Sequence, residues 1–467
     1  MNLDTFPATG VEVVEAVRSR QATAREVTEA LLARIEATHA AINAFTTVTA
    51  ERALAEADAV DAAIAAGRDP GPLAGLPYSL KNLFDIEGVV TVAGSKINRD
   101  DQPALRDATC VARMRSAGAI CLGAVNIDEY AYDFVTINAH DGATHNPRDL
   151  ARSAGGSSGG SGASVAAGLC AISIGTDTNG SIRVPSSFCG IWGLKPTYSR
   201  LSRAGSFPFV DSLDTIGPLG RSVADLAATY DAIAGPDPRD PVCTPRPPEP
   251  VRHLIDDGIG GLRIGVLGGY FSEGGAPVAH DAVRHVARSL GVTREVELPV
   301  PERARAAAYV ISTTEGGSLH FDRLKTRAAD FDPAARDRFL AGVLTPADWY
   351  LHAQRFRQWW RGQVAHVFRD VDVLLAPATP IPAPLLDQQT LTFKGRELPL
   401  RPNIGVFTQP ITLVGLPVVA APVHLPGELP VAVQLVGAPF TETILLRVAR
   451  ELERRGVCTA PAATLTD

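Results

Sequence analysis

The sequence predicts an α/β fold in one large domain. Three observations lead there. Helical and strand-like segments alternate along the 467 residues, 45% are hydrophobic against 20% charged, and no true linker divides them. That composition excludes a disordered or collagen-like chain. A net charge of −7 lacks the basic footprint of a nucleic-acid binder.

Residues 1–66 read as an N-terminal helical layer. Thr23 and Glu26 form a capping-box pattern, with Val27, Leu31 and Ile35 following on one face, and an alanine-rich stretch covers 53–66. Asp4, Glu12 and Glu15 precede any long apolar run, which argues against a signal peptide. The apolar segment 75–82, after a Gly/Pro turn, predicts a strand ending near Lys81. Residues 109–116 read as a helix and 120–125 as a buried strand. Next come a Gly/Ser loop at 155–161, a helix over 163–167, a strand over 171–174 and a second Gly-rich turn at 175–181. The Pro-rich, charged run from 235 reads as a surface excursion to 261. A strand over 262–267 follows, and its G-V-L-G-G is a tight turn rather than a dinucleotide fingerprint. Helices over 335–344 and 349–368 lead to a strand over 371–376, and the last helix covers 443–455. Residues 402–427 carry no Asp, Glu, Lys or Arg, but the interruptions at Pro410, Pro417, Pro422 and Pro426 make buried strands and turns a better reading than a membrane span.

Six cysteines without C-x-x-C spacing point to buried thiols in a reducing, cytoplasmic compartment. No H-x-H or H-E-x-x-H occurs, so a metal site has no support. There are only five lysines against 39 arginines. Lys81, among Leu76, Leu80, Leu83 and Phe84, is therefore conspicuous. It is either a snorkelling surface lysine or a buried amine whose pKa is low enough to accept a proton.

The loop G-G-S-S-G-G-S admits three readings: a flexible linker, a phosphate cradle lacking the P-loop lysine, or a loop holding a serine hydroxyl in place. The turn G-T-D-T-N-G-S-I-R-V-P at 175–185 favours the last. Successive N–H groups there can form an anion-binding nest beside Ser181, which would join a nucleophile to its own oxyanion hole. No histidine lies within either turn to serve as base.

These two motifs, with F-C-G-I-W-G-L-K-P-T at 188–197 and G-L-P-Y-S-L-K-N at 75–82, resemble the amidase signature family. F-T-Q-P-I-T-L-V-G-L-P at 407–417 and V-Q-L-V-G-A-P-F at 433–440 resemble its C-terminal sheet. The resemblance is dense over 70–220, the catalytic core, and looser over 262–467, the remainder of the sheet and the substrate-side helices. It implies a mixed twisted sheet covered by helices on both faces. It also implies an amidohydrolase that forms an acyl-serine and needs no cofactor. Ser181 matches the nucleophile, Ser157 the bridging serine at a cis peptide, and Lys81 the terminal base. The amides of Thr178, Asn179, Gly180 and Ser181 match the oxyanion hole. Ser158 and Arg183 match positions that hold the two turns together. Tyr132, Tyr309 and Arg338 match substrate-contacting positions.

Further stretches, including A-G-S-K-I-N-R at 93–99 and W-Y-L-H-A-Q-R-F-R at 349–357, resemble a subfamily that hydrolyses small carboxylated urea amides and releases ammonia. Two alternatives remain: the amidase-type component of a tRNA-dependent amidotransferase, and an inactive scaffold on the same fold. One departure from the family pattern is Asp133, where a glycine is usual. Facing the pocket it would repel a carboxylated substrate; facing solvent it would be neutral. The resemblance also implies a small helical partner subunit in a hetero-oligomer, a plain homodimer being the alternative, with no nucleic-acid or membrane partner.

Overall fold

The computed structural model describes residues 8–464. Its centre is an eleven-stranded sheet. In chain order the strands are β1 (Phe45–Val48), β2 (Pro77–Lys81), β3 (Ile120–Val125), β4 (Ile172–Asp177), β5 (Trp192–Lys195), β6 (Thr215–Gly220), β7 (Ile264–Leu267), β8 (Glu295–Val296), β9 (Val373–Pro377), β10 (Val418–Val423) and β11 (Val431–Gly437). Across the sheet they run β1-β3-β2-β4-β6-β5-β10-β11-β9-β7-β8. The sheet is mixed. β2 lies parallel to both β3 and β4, the centre from β4 to β9 is antiparallel, and β9, β7 and β8 are parallel.

Every residue of β2, β3, β4, β6, β10 and β11 is buried. Because successive side chains point to opposite faces, burial of all of them means that both faces are covered. The apolar runs 120–125 and 371–376 thus mark strands packed on both sides. The capping box of Thr23 and Glu26 opens the helix Ala24–Ile42, and a second box, Thr9 with Glu12, opens Gly10–Arg18.

Four expectations need correction. The N-terminal layer is not wholly helical: Phe45–Val48 forms the edge strand β1, paired antiparallel to β3. Residues 1–7 of that layer lie outside the described residues. Gly175, Thr176 and Asp177 are the end of β4 rather than part of a turn, because β6 pairs with them up to Thr215. The helix after the Gly/Ser loop starts inside it, at Gly159. The segment resembling a C-terminal sheet at 407–417 contains the helical turn Gln409–Thr412, and the strand begins at Val418.

Between Ile233 and Ile264 the chain forms only turns and bends, with Val251 and Ile255 buried. All six cysteines are free thiols, and five are buried. No helix among the described residues is long and apolar enough to cross a membrane.

The C-terminal end of β4 is fastened to the far half of the sheet by one side chain. Arg183 is fully buried and pairs bidentately with Asp177, Nε to Oδ2 and Nη2 to Oδ1, each at 2.9 Å. Its Nη1 donates to Gln434 Oε1 on β11 at 2.7 Å and to the Thr408 carbonyl at 3.1 Å. Burial works to raise the Asp177 carboxyl, but the Arg183 charge and hydrogen bonds outweigh it and hold Asp177 below the usual range. Arg183→Met should leave that carboxylate buried and unpaired, lowering stability by about 3–5 kcal/mol. Urea unfolding followed by tryptophan fluorescence checks this.

Candidate active site

Three chain segments converge at the end of β4. The first is β2, whose last residue is Lys81. Its ammonium nitrogen is fully buried, 2.8 Å from Ser157 Oγ and 2.7 Å from Thr176 Oγ1. Burial lowers its pKa to about 7, against the pull of Asp128, Asp214 and Asp177, none of which makes a salt bridge with it. The snorkelling alternative is therefore wrong.

The second segment is the Gly/Ser loop. The Gly156–Ser157 peptide is cis. The loop passes so close to its neighbours that a Cβ on Gly156 would stand 2.1 Å from Asp128 Oδ2. Ser158 Oγ donates to the Thr176 carbonyl at 3.2 Å, joining this loop to β4 as expected. Arg183 acts differently from expectation: it ties the second turn to β11 and to Thr408, not to the Gly/Ser loop.

The third segment is the turn Thr178–Ser181. Its backbone N–H groups bond to no protein acceptor among the described residues. Gly180 has φ +141°, and a Cβ there would meet Thr408 Oγ1 at 2.5 Å, so the turn needs glycine. The turn is pinned on both sides: Thr178 Oγ1 donates to Asp214 at 2.5 Å, and Thr408 Oγ1 donates to the Asn179 carbonyl at 2.5 Å. Four orphan N–H groups beside the Ser181 hydroxyl can stabilise an oxyanion. Among the described residues no hydrogen bond joins Ser157 to Ser181.

Ser181, Thr178 and Asn179 line a narrow cavity of about 30 Å³ together with Tyr132, Tyr309 and Arg338. The three sequence-derived substrate candidates thus meet at the same place. Asp133 lines it too, which settles its orientation, but its charge is matched twice: Arg338 lies 3.0 Å away and Arg401 2.7 Å away. The expected repulsion of a carboxylate does not arise, because two guanidiniums face one carboxylate. Arg338 also stacks over the Tyr132 ring, 4.3 Å from its centroid.

Sequence reasoning missed Thr176, Asp214, Ser312, Arg401 and Gln409. Of these only Thr176 carried a signal, since it stands one residue before the Asp of the recognised turn and next to Lys81's strand. Among the described residues no group of three or more His, Cys, Asp or Glu side chains is arranged to hold a metal ion.

The chain matches the Amidase family over residues 26–446. It is 53% identical over 450 residues to AtzE, a 1-carboxybiuret hydrolase subunit of Pseudomonas sp. (strain ADP), covering 96% of this chain and 98% of that one. It is 40% identical over 468 residues to the A-type subunit of glutamyl-tRNA(Gln) amidotransferase from Roseiflexus sp. (strain RS-1), covering 94% of each. Among solved structures, a chain of an unexpected vestigial protein complex that reveals the evolutionary origins of an s-triazine catabolic enzyme superposes with a TM-score of 0.96 at 52% identity, over 97% of this chain and all of that one. The 6-aminohexanoate cyclic dimer hydrolase superposes at 0.86 with 28% identity, over 99% of each chain. Sequence and geometry agree on one conclusion: this chain belongs to the amidase family.

Proposed function

We propose that the chain hydrolyses a small linear ureido acid, 1-carboxybiuret or a close analogue, and releases ammonia through an acyl-serine intermediate. The observation that carries the chemistry is the buried Lys81 amine held against Ser157 beside a serine-bearing nest of free N–H groups. The substrate class draws support from the 53% identity to one chain of a 1-carboxybiuret hydrolase, and from the guanidinium of Arg338 in the cavity wall. The amidotransferase relatives are more distant, at 40% identity or below.

In the proposed reaction neutral Lys81 accepts the Ser157 proton, and Ser157 accepts the Ser181 proton as the substrate brings the two hydroxyls within reach. Ser181 Oγ forms a bond to the amide carbon. The Thr178–Ser181 amides receive the developing oxyanion. The C–N bond then breaks, and the relay returns a proton to the departing amine, giving ammonia. Water attacks the acyl-serine by the same path and frees the acid. No step requires a cofactor.

We further propose a hetero-oligomer with a small helical subunit, in a reducing cytoplasm. Trp349 and Trp359, on the helix Ala347–Val367, stand 59% and 49% exposed, an apolar surface that a partner would cover. Light scattering and dye binding on the chain expressed alone test this: association and strong dye binding are expected. A fully active homodimer with little dye binding would overturn it.

Two measurements test the chemistry. Ser181→Ala should abolish labelling by a fluorophosphonate, and full labelling of that variant would place the nucleophile elsewhere. The pH profile of kcat/KM for ammonia release reads the base. Lys81 must be neutral to accept a proton, so activity should be retained above its folded pKa and fall as the pH drops through about 7. The acidic groups facing it are Asp128, Asp177 and Asp214. A flat profile across that range would remove Lys81 as the base.

A further inference from the structure

The cavity contains an acceptor that neither the fold nor the nucleophile accounts for. Asn179 has its backbone in the nest, but its side chain reaches the helix Pro301–Leu319, where Nδ2 donates to Ser312 Oγ at 2.8 Å. Ser312 spends its single hydroxyl proton on the Ala308 carbonyl, also at 2.8 Å. Its oxygen can therefore only accept from Asn179, and this fixes which end of the amide faces the helix. The other end, Oδ1, is buried and has no donor. Buried amide oxygens in folded proteins are rarely left so. The Tyr132 hydroxyl, in the wall of the same cavity, is likewise buried and unpartnered.

We propose that Asn179 Oδ1 determines specificity by accepting a hydrogen bond from an N–H inside the acyl part of the substrate, thereby selecting ureido groups over carbon-chain amides. This rests on the reading that substrate is cleaved in this cavity. The departing amine must face Lys81 and Ser157, which return its proton. Asn179 is held against Ser312, and the retained half of the substrate must then occupy the rest of the cavity, which Tyr309 and Arg338 line with them. A urea supplies an N–H there, and a methylene supplies none. The Tyr132 hydroxyl, both donor and acceptor, complements the adjoining carbonyl or N–H.

Biuret and malonamide separate the two cases, because they differ only in an NH or CH₂ between two identical carboxamides. Calorimetric titration into the Ser181→Ala protein should give about tenfold tighter binding of biuret. Adding Asn179→Ala should erase that preference, and Asn179→Asp, which keeps an acceptor, should restore much of it. Equal affinities in the Ser181→Ala protein, or a preference that survives Asn179→Ala, would overturn the proposal. Should circular dichroism show Asn179→Ala unfolded, Ser312→Ala releases the amide and should lower the same ratio; an unchanged ratio there would equally overturn it. Failure of a fluorophosphonate to label wild-type Ser181 would instead count against the nucleophile, since binding is read in a chain lacking that hydroxyl.

Discussion

The bidentate pair between Asp177 and Arg183 is the constraint on which the site depends. It lies at the point where β4 ends and the serine turn begins, with both side chains fully buried. A guanidinium cannot shed its proton, so once buried it must keep its carboxylate and fill its other donors. It does so on Gln434 of β11, from the opposite half of the sheet, and on Thr408 and Thr412 at the two ends of the helical turn before β10. The turn is thereby clamped from below, while Thr408 clamps it from the side through the Asn179 carbonyl. With the Asn179 and Gly180 carbonyls engaged and its N–H groups free, the turn keeps its donors available to the cavity.

Lys81 meets the same problem of a buried cation and solves it the other way. Among the described residues no carboxylate forms a salt bridge with it, and burial lowers its pKa to about 7, so the proton is easily lost instead of being held by a counter-ion. Lys195, on β5, does likewise: burial outweighs the pull of Asp177 and lowers it to about 7. The other three lysines, Lys96, Lys325 and Lys394, are partly exposed and each pairs with a carboxylate, so only the two buried ones are lowered in this way. Arginine at position 81 could not become the base, whatever its neighbours.

The parts of this arrangement legible in the sequence are the local ones. The helix 109–116 and the strand 120–125 appear as their residues suggest because an amphipathic turn and a continuous apolar run each constrain a short segment by themselves. Phe45–Val48 does not, since only four residues form it and β3 supplies its reason to be a strand. Lys81 and the two glycine-rich segments stood out by composition and by resemblance. The state of Asp133 could not be read, because the arginine that pairs with it at 2.7 Å is 268 residues away. The orientation of the Asn179 amide likewise depends on Ser312, 133 residues further along.

That distance dependence gives Asp133 its physical role. A lone carboxylate in a small cavity would repel an anionic substrate, and a lone pair of arginines would repel each other and the Lys81 region alike. Placing Asp133 between Arg338 and Arg401 holds both guanidiniums at fixed positions and offsets its own negative charge. Arg338 is fixed further by the Tyr132 ring and the Tyr132 carbonyl, so it is preorganised before any ligand arrives. A substrate carboxylate entering this corner meets a cation already oriented. In the proposed reaction its amide end then faces the serine turn, with its free N–H groups and the buried amine behind it. Charge at one end and a neutral base at the other orient a short, asymmetric molecule in one direction.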